Sequence, residues 1–257
     1  MTDDLELLQF RYSHYNEKAR WALDLKGLPH RRTSLLPGPH MPRVKKVTGQ
    51  TSTPVLRMGE RWIAGSAALI DALEQACPEP ALYPADPAER TRAVELQDWL
   101  DRDLGPYIRR ALFSVIVDED DYICGMFGEG KPWAKRALYR ATYPLAKGLI
   151  RKGNGVTSQA AIDEGFARTA EVFDQLAGMI NAQGYLVGDR FSVADLTACA
   201  LSAPAFDPPD CDMTRPRPMP QPMLDWLARW VDHPWGAHVL RIYRDHRPKS
   251  GRGAIAA

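Results

Sequence analysis

The run LELLQFRYSHYNEKARWALDL, residues 5–25, decides how the chain begins. Leu5 to Phe10 is short and apolar enough for a strand, and from Tyr15 to Leu25 the positions Tyr15, Ala19, Ala22 and Leu23 fall at helical spacing. Ser13 stands where the strand hands over to the helix. Working outward, Gly27-Leu28-Pro29 stops that helix, and Arg31 to Leu36 reads as a second strand. A proline-broken stretch comes next, with a short helix near Pro42 to Val47. Val55 to Met58 and Arg61 to Ile63 then flank Gly59-Glu60, whose glycine suits the first central position of a type II′ hairpin turn. Leu69, Ile70 and Leu73 share one helical face, so the first 76 or so residues read β-α-β-α-β-β-α.

That order is the thioredoxin-like plan, and the remainder of the chain is different in kind. Prolines at 78, 80, 84 and 87 leave no helical period between Cys77 and Pro87, because each removes an amide donor. The reading is a first domain over 1–77, a linker over 78–88, a second domain over 89–248 and a flexible tail over 249–257. Asp86-Pro87-Ala88-Glu89 opens the second domain with a capping residue, a proline at the first helical position and an acid where a capping box needs one. Leu100, Leu104, Tyr107, Ile108, Ala111, Leu112, Val115 and Ile116 keep the three-and-four spacing through Gly105-Pro106, where a kink is expected. Two further stripes, Ile162 to Ile180 and Met223 to Val231, predict an all-α bundle. Seven prolines between 204 and 222 predict a stiff loop there.

Composition narrows the function. Thirty-three Lys and Arg against 32 Asp and Glu leave a net charge of +1, so no global basic field exists for nucleic acid. The acidic start Thr2-Asp3-Asp4 lacks the pattern of a secretion signal, and the longest weakly polar run, Leu196 to Phe206, is too short to span a bilayer. Four cysteines without a CxxC pair suit a reducing cytoplasm. Gly125 to Lys131 approaches a phosphate-binding loop, but Pro132 stands where a magnesium-binding Ser or Thr belongs. The seven cations between 131 and 152 read as a solvated helical face, and no histidine pattern suggests a metal.

Ser192-Val193-Ala194-Asp195 is a capping box with aspartate as its acid, stapled by Phe191 and Leu196. The full run Gly188 to Asp195 resembles the folding motif of the helical domain of cytosolic glutathione transferases. Ser13 to Trp21, Ser52-Thr53-Pro54-Val55-Leu56 and Gly65-Ser66-Ala67-Ala68-Leu69 resemble the same family's N-terminal motifs, in the same order. The resemblance covers nearly the whole chain. It implies a thioredoxin-like domain followed by a C-terminal α-helical bundle, glutathione as co-substrate, a small hydrophobic electrophile as second substrate, a homodimer and a cytoplasmic location.

The residues have physical work of their own. A hydroxyl at Ser13 lies among the unpaired amides that open a helix, where a thiolate is favoured by the dipole. A free thiol of pKa about 8.5 is only a few per cent ionised at pH 7, and lowering it by ~2 units stabilises the anion by roughly 2.7 kcal/mol. The bland alternative is that Ser13 simply caps the helix. Tau and zeta transferases use a serine at the corresponding place, so the resemblance makes Ser13 the thiolate donor, with Tyr12 as back-up and Asn16 as a neighbour touching the thiol or nothing. Thr53-Pro54 resembles the cis-proline turn that presents backbone to the cysteinyl part of glutathione, against a plain trans proline as the alternative. Ser66 opens a helix that is expected to hold the γ-glutamyl carboxylate.

Gly65 departs from the family, in which an acid commonly precedes that serine and pairs with the γ-glutamyl ammonium. Weak affinity, a substitute carboxylate from Asp98, Asp101 or Asp103, or a different ligand would each be a consequence. His40, Lys45 and Lys46 are candidate cations for the glycine carboxylate. Tyr107, Arg110 and Phe113 are expected, from location alone, to line the second-substrate pocket.

Overall fold

A computed structural model describes residues 5–249 and 254–255. The N-terminal part runs β1 (Leu5–Gln9), α1 (His14–Leu25), β2 (His30–Ser34), α2 (Met41–Thr48), β3 (Val55–Met58), β4 (Arg61–Ala64) and α3 (Ser66–Ala76). The helices α4 (Pro87–Asp103), α5 (Gly105–Ile116), α6 (Asp120–Gly128), α7 (Trp133–Gly153), α8 (Gln159–Met179), α9 (Val193–Phe206), α10 (Gln221–Trp230) and α11 (Pro234–His246) come after it. A last short strand, β5 (Ala254–Ile255), completes the order.

The sheet order is β4-β3-β1-β2-β5. β1 lies parallel to β2, with Leu7 opposite Arg32, and antiparallel to β3, with Leu7 opposite Leu56. Every residue of β1 is buried, as a central strand covered on both faces requires. Gly59 turns the β3–β4 hairpin at φ +61°, the left-handed conformation the turn type needs.

Three details depart from the sequence reading. The stripe through Gly105-Pro106 is two helices meeting at Leu104, because Pro106 has no N–H to carry the ladder forward. Pro204 lies inside α9 and Pro222 in the first turn of α10, so neither is in the loop between them: Pro204 falls in the last turn, and its carbonyl accepts from Trp226 Nε1 at 2.7 Å and Arg215 Nη2 at 2.6 Å. Ala254–Ile255, in the stretch read as a flexible tail, pairs parallel with β2 at the sheet edge; 250–253 and 256–257 lie outside the described residues.

α9 is the hub of the helical domain. Only its last residue is not buried, so its sequence is predominantly apolar, with Asp195, Thr197 and Ser202 as buried polar exceptions, and it packs against α1, α4 and α11. The capping box at its start is formed: Asp195 accepts from the Ser192 N–H at 3.1 Å and also from the Leu186 N–H at 2.9 Å. Besides the α1–α9 packing, an ionic network joins the two halves. Glu17 and Asp24 on α1 meet Arg247, just beyond α11, at 2.8 and 2.9 Å, with all three side chains fully buried. Arg20 pairs with Glu17, Arg32 with Asp24, and Asp212 meets Arg20 at 3.0 Å. Close pairing of this kind offsets the cost of taking charges out of water.

Candidate functional site

A cavity of about 360 Å³ opens between the first turn of α1, the loop before β3, α5 and the α6–α7 pair. That volume suits a small organic ligand. Ser13, Tyr12, Thr53 and His40 line it on the sheet side, and Phe113 lines it on the helical side.

Ser13 occupies the N-cap position of α1 with extended backbone, yet its hydroxyl makes no capping hydrogen bond. Its backbone carbonyl already accepts the first helical bond, from Glu17 N–H at 2.8 Å. The hydroxyl makes no hydrogen bond to any described residue, and Ser13 borders the cavity. Tyr12 is in a different state. Its phenol donates to the Glu129 carboxylate, which Arg11 also meets at 3.2 Å, tying the β1–α1 loop to the turn before α7. Burial first, and the Glu129 bond second, push that phenol up from its ordinary value.

Asn16 is fully buried behind the loop and donates from Nδ2 to Thr53 Oγ1 at 3.1 Å, so it buttresses Thr53 and does not reach the cavity. The Thr53–Pro54 peptide is cis, and the Pro54 carbonyl accepts from Gly65 N–H at 3.0 Å. Thr53's own N–H and C=O make no hydrogen bond to described residues, leaving a strand-like edge toward the cavity. Gly65 holds φ +92° as the N-cap of α3, and Ser66 is buried at its first position. Neither borders the cavity itself.

The cationic candidates sort differently. His40 Nδ1 accepts from Gly38 N–H at 3.1 Å, which fixes the tautomer so that Nε2–H donates to the Thr51 carbonyl at 2.9 Å. Burial lowers its pKa, so at neutral pH the ring is uncharged and braces the loop. Lys45 and Lys46 lie on α2, away from the cavity. The three carboxylates considered as substitutes for an acid at 65 are elsewhere: Asp101 pairs with Lys18 at 2.7 Å, Asp103 with Arg168 at 2.8 Å, and Asp98 is exposed.

On α5 the helix turns Arg110 toward α8, where it meets Glu164 at 2.5 Å and stacks 5.0 Å from the Tyr107 ring. Tyr107 and Arg110 therefore do not line the cavity. The face that does is Arg109, Leu112, Phe113 and Ile116, joined by Phe10, Met126 and Phe127. Sequence spacing carried a signal for this: 109, 112, 113 and 116 keep an i, i+3, i+4, i+7 pattern that shares Leu112 and Ile116 with the long apolar stripe. His14, beside Ser13, is buried with its Nε2 3.0 Å from the Gly105 carbonyl, and burial lowers it to about 3. It is neutral and supplies no charge. Gly105 is needed where α5 meets α1, because a Cβ there would fall 2.0 Å from the Tyr15 hydroxyl. Among the described residues no group of three potential ligands could hold a metal ion, and no helix is long and apolar enough to cross a membrane.

Comparison with known proteins agrees with this architecture. Residues 7–81 match the model of the glutathione S-transferase N-terminal domain, and residues 136–216 match that of the C-terminal domain. A glutathione S-transferase of Pseudomonas putida is 32% identical over 92 residues, 36% of this chain and 41% of the relative. A maleylpyruvate isomerase of Ralstonia sp is 30% identical over 115 residues, 44% of this chain and 54% of the relative. The chain thus spans about half the length of the curated relatives it matches. Among solved structures, a theta-class transferase from Xanthomonas axonopodis pv. citri, with glutathione bound, superposes with a TM-score of 0.58 at 20% identity, covering 92% of this chain and 97% of that one.

Proposed function

The chain belongs to the glutathione S-transferase superfamily, and we propose that it ionises glutathione at Ser13 and transfers the thiolate to an apolar electrophile. The carrying observation is the Ser13 hydroxyl, placed at a helix N-cap without capping, facing a cavity of ligand size. A hydroxyl already engaged by the helix would be less free to turn toward a ligand. Tyr12 is the weaker candidate, since its proton is already given to Glu129.

In this reading the Thr53 backbone pairs with the cysteinyl part of the tripeptide, braced by Asn16, and the amides opening α3 at Ser66 receive the γ-glutamyl carboxylate. The thiol proton leaves to water, and the Ser13 O–H then donates to the sulfur anion. The sulfur pair forms the new bond to carbon, and the leaving group departs with its own pair. Phe113, Leu112 and Ile116 hold the electrophile over the sulfur. With no carboxylate at 65, the γ-glutamyl ammonium loses one charge-assisted contact, typically worth ~1.5–3 kcal/mol, so glutathione binds weakly.

Steady-state assays of the wild type and Ser13→Ala with a panel of electrophiles test the proposal, and unchanged turnover in the variant removes Ser13 from the chemistry. A second reading keeps glutathione but exchanges conjugation for isomerisation, favoured by the likeness to the Ralstonia maleylpyruvate isomerase. Return of unconsumed glutathione after turnover distinguishes it. A non-catalytic scaffold, to which Gly65 lends weight, predicts no glutathione binding at millimolar ligand in calorimetry. A cytoplasmic homodimer completes the proposal, and sedimentation of the purified chain reads the dimer.

A further inference from the structure

Arg109 lines the cavity in a state that the proposed reaction does not explain. It projects from α5 between Tyr15 and the apolar wall of Leu112, Phe113 and Ile116, and makes no hydrogen bond or ion pair with any described residue. Its Nε is fully buried and has no partner. Other deeply buried arginines are matched by carboxylates: Arg20 with Glu17 at 2.9 Å, Arg215 with Asp207 at 2.9 Å, Arg247 with Glu17 at 2.8 Å. Its neighbour Arg110 takes Glu164. The charged groups sensed at Arg109 offer it no anion, being the Tyr15 phenol and the Arg110 cation.

A guanidinium partly withdrawn from water, with a buried Nε and no counter-ion, is costly, and burial pulls its pKa down. Arginine does not shed its proton at neutral pH, so the charge remains and calls for an anion. The fork geometry of a guanidinium matches a carboxylate through two parallel hydrogen bonds. Arg215 also borders the cavity but is held by Asp207, so the one unpaired guanidinium among aliphatic and aromatic walls suits one negative charge on an otherwise apolar body, and not a phosphate, which draws on several donors.

We propose that Arg109 is a specificity-determining residue that binds the carboxylate of the second substrate, so that the preferred electrophiles are apolar molecules carrying one carboxyl group. This rests on the glutathione-transferase reading, in which Ser13 and Arg109 belong to one cavity. Arg109 belongs to α5 and Ser13 opens α1 across the same cavity, so a carboxylate held by Arg109 lies on the helical side of a thiolate at Ser13.

The test uses a matched pair, 4-(chloromethyl)benzoate and its methyl ester. In each, the glutathione sulfur forms the bond to the benzylic carbon while the carbon–chlorine pair leaves as chloride. Wild type is expected to favour the acid. Arg109→Met should lower the acid-to-ester ratio of kcat/KM by about 10- to 100-fold, the range for losing a charge-assisted bond, and Arg109→Lys should restore part of it. An unchanged ratio, or an equal fall on both substrates, overturns the proposal. A thermal melt of each variant checks that it is folded, and 4-methylbenzoate binding by calorimetry, with glutathione present, gives a second readout. If wild type conjugates neither compound, the transferase reading fails and the calorimetry decides alone: binding lost in Arg109→Met upholds the carboxylate site, and no binding to wild type refutes it.

Discussion

Replacing Arg247 with methionine removes the cation that ties the end of the last helix to α1. The arginine meets Glu17 at 2.8 Å and Asp24 at 2.9 Å, with no exposed side-chain surface on any of the three, and its guanidinium lies 5.7 Å from the Trp21 ring. Breaking a buried pair by deleting one partner costs ~3–5 kcal/mol, because a charge is stranded. Arg20 still serves Glu17 and Arg32 still serves Asp24, and methionine preserves most of the packing volume, so the lower end applies, about 3 kcal/mol. For a chain of this size 1 kcal/mol moves Tm by ~2–4 °C, giving a fall of roughly 6–12 °C in thermal melts followed by circular dichroism at neutral pH.

The pH dependence comes from Glu17. Burial acts to raise its carboxyl, but Arg247 and then Arg20 outweigh that, and the net shift is downward from 4.5. A depressed folded value contributes stability that is present above the unfolded value and lost as the pH falls through the folded one. The gap between wild type and variant should therefore be full at neutral pH and shrink below about pH 4. A fall of under about 2 °C, or a gap that does not change with acid, would refute the argument that this network holds the two halves together.

Three other outcomes are expected. Asp195→Ala leaves the buried Leu186 and Ser192 amides without their acceptor and should cost about 2–4 kcal/mol in urea unfolding. Gly105→Ala drives a methyl into the Tyr15 side chain, 2.0 Å from its hydroxyl and 2.4 Å from Cζ; a destabilisation of ~1–3 kcal/mol over the respective background should be relieved in the Gly105→Ala/Tyr15→Ala double variant, which removes both atoms, measured as a thermodynamic cycle. Asn16→Ala removes the brace on Thr53 and should raise the glutathione KM roughly 5- to 10-fold, by loss of one hydrogen bond, with kcat changed less.

Legibility in the sequence tracks how local each feature is. The Ser192–Asp195 box, the β1–α1 junction at Ser13 and the Gly59 turn depend on residues within a few positions of one another, and all three are formed. The cavity wall depends on which face of α5 packs on α8. Tyr107 and Arg110 are as good a guess as Arg109 until that packing is known, because overlapping helical stripes present equally plausible residues. In sequence His40 reads as a candidate cation for the glycine carboxylate, and in the fold it is a neutral brace, a difference made by burial and by the Gly38 and Thr51 backbone groups that enclose it. The ionic link from Arg247 to Glu17 joins positions 230 residues apart and carries no local signal at all.

The central claim is that a spare hydroxyl at the start of α1 keeps the sulfur of glutathione negative, and the ultraviolet band of a thiolate reports this directly. Titrating the binary complex with pH should give a bound thiol pKa about 2 units below the free value near 8.5 in wild type, and a value returned most of the way to free thiol in Ser13→Ala. Equal pKa values in the two proteins, with glutathione bound to both, would contradict it.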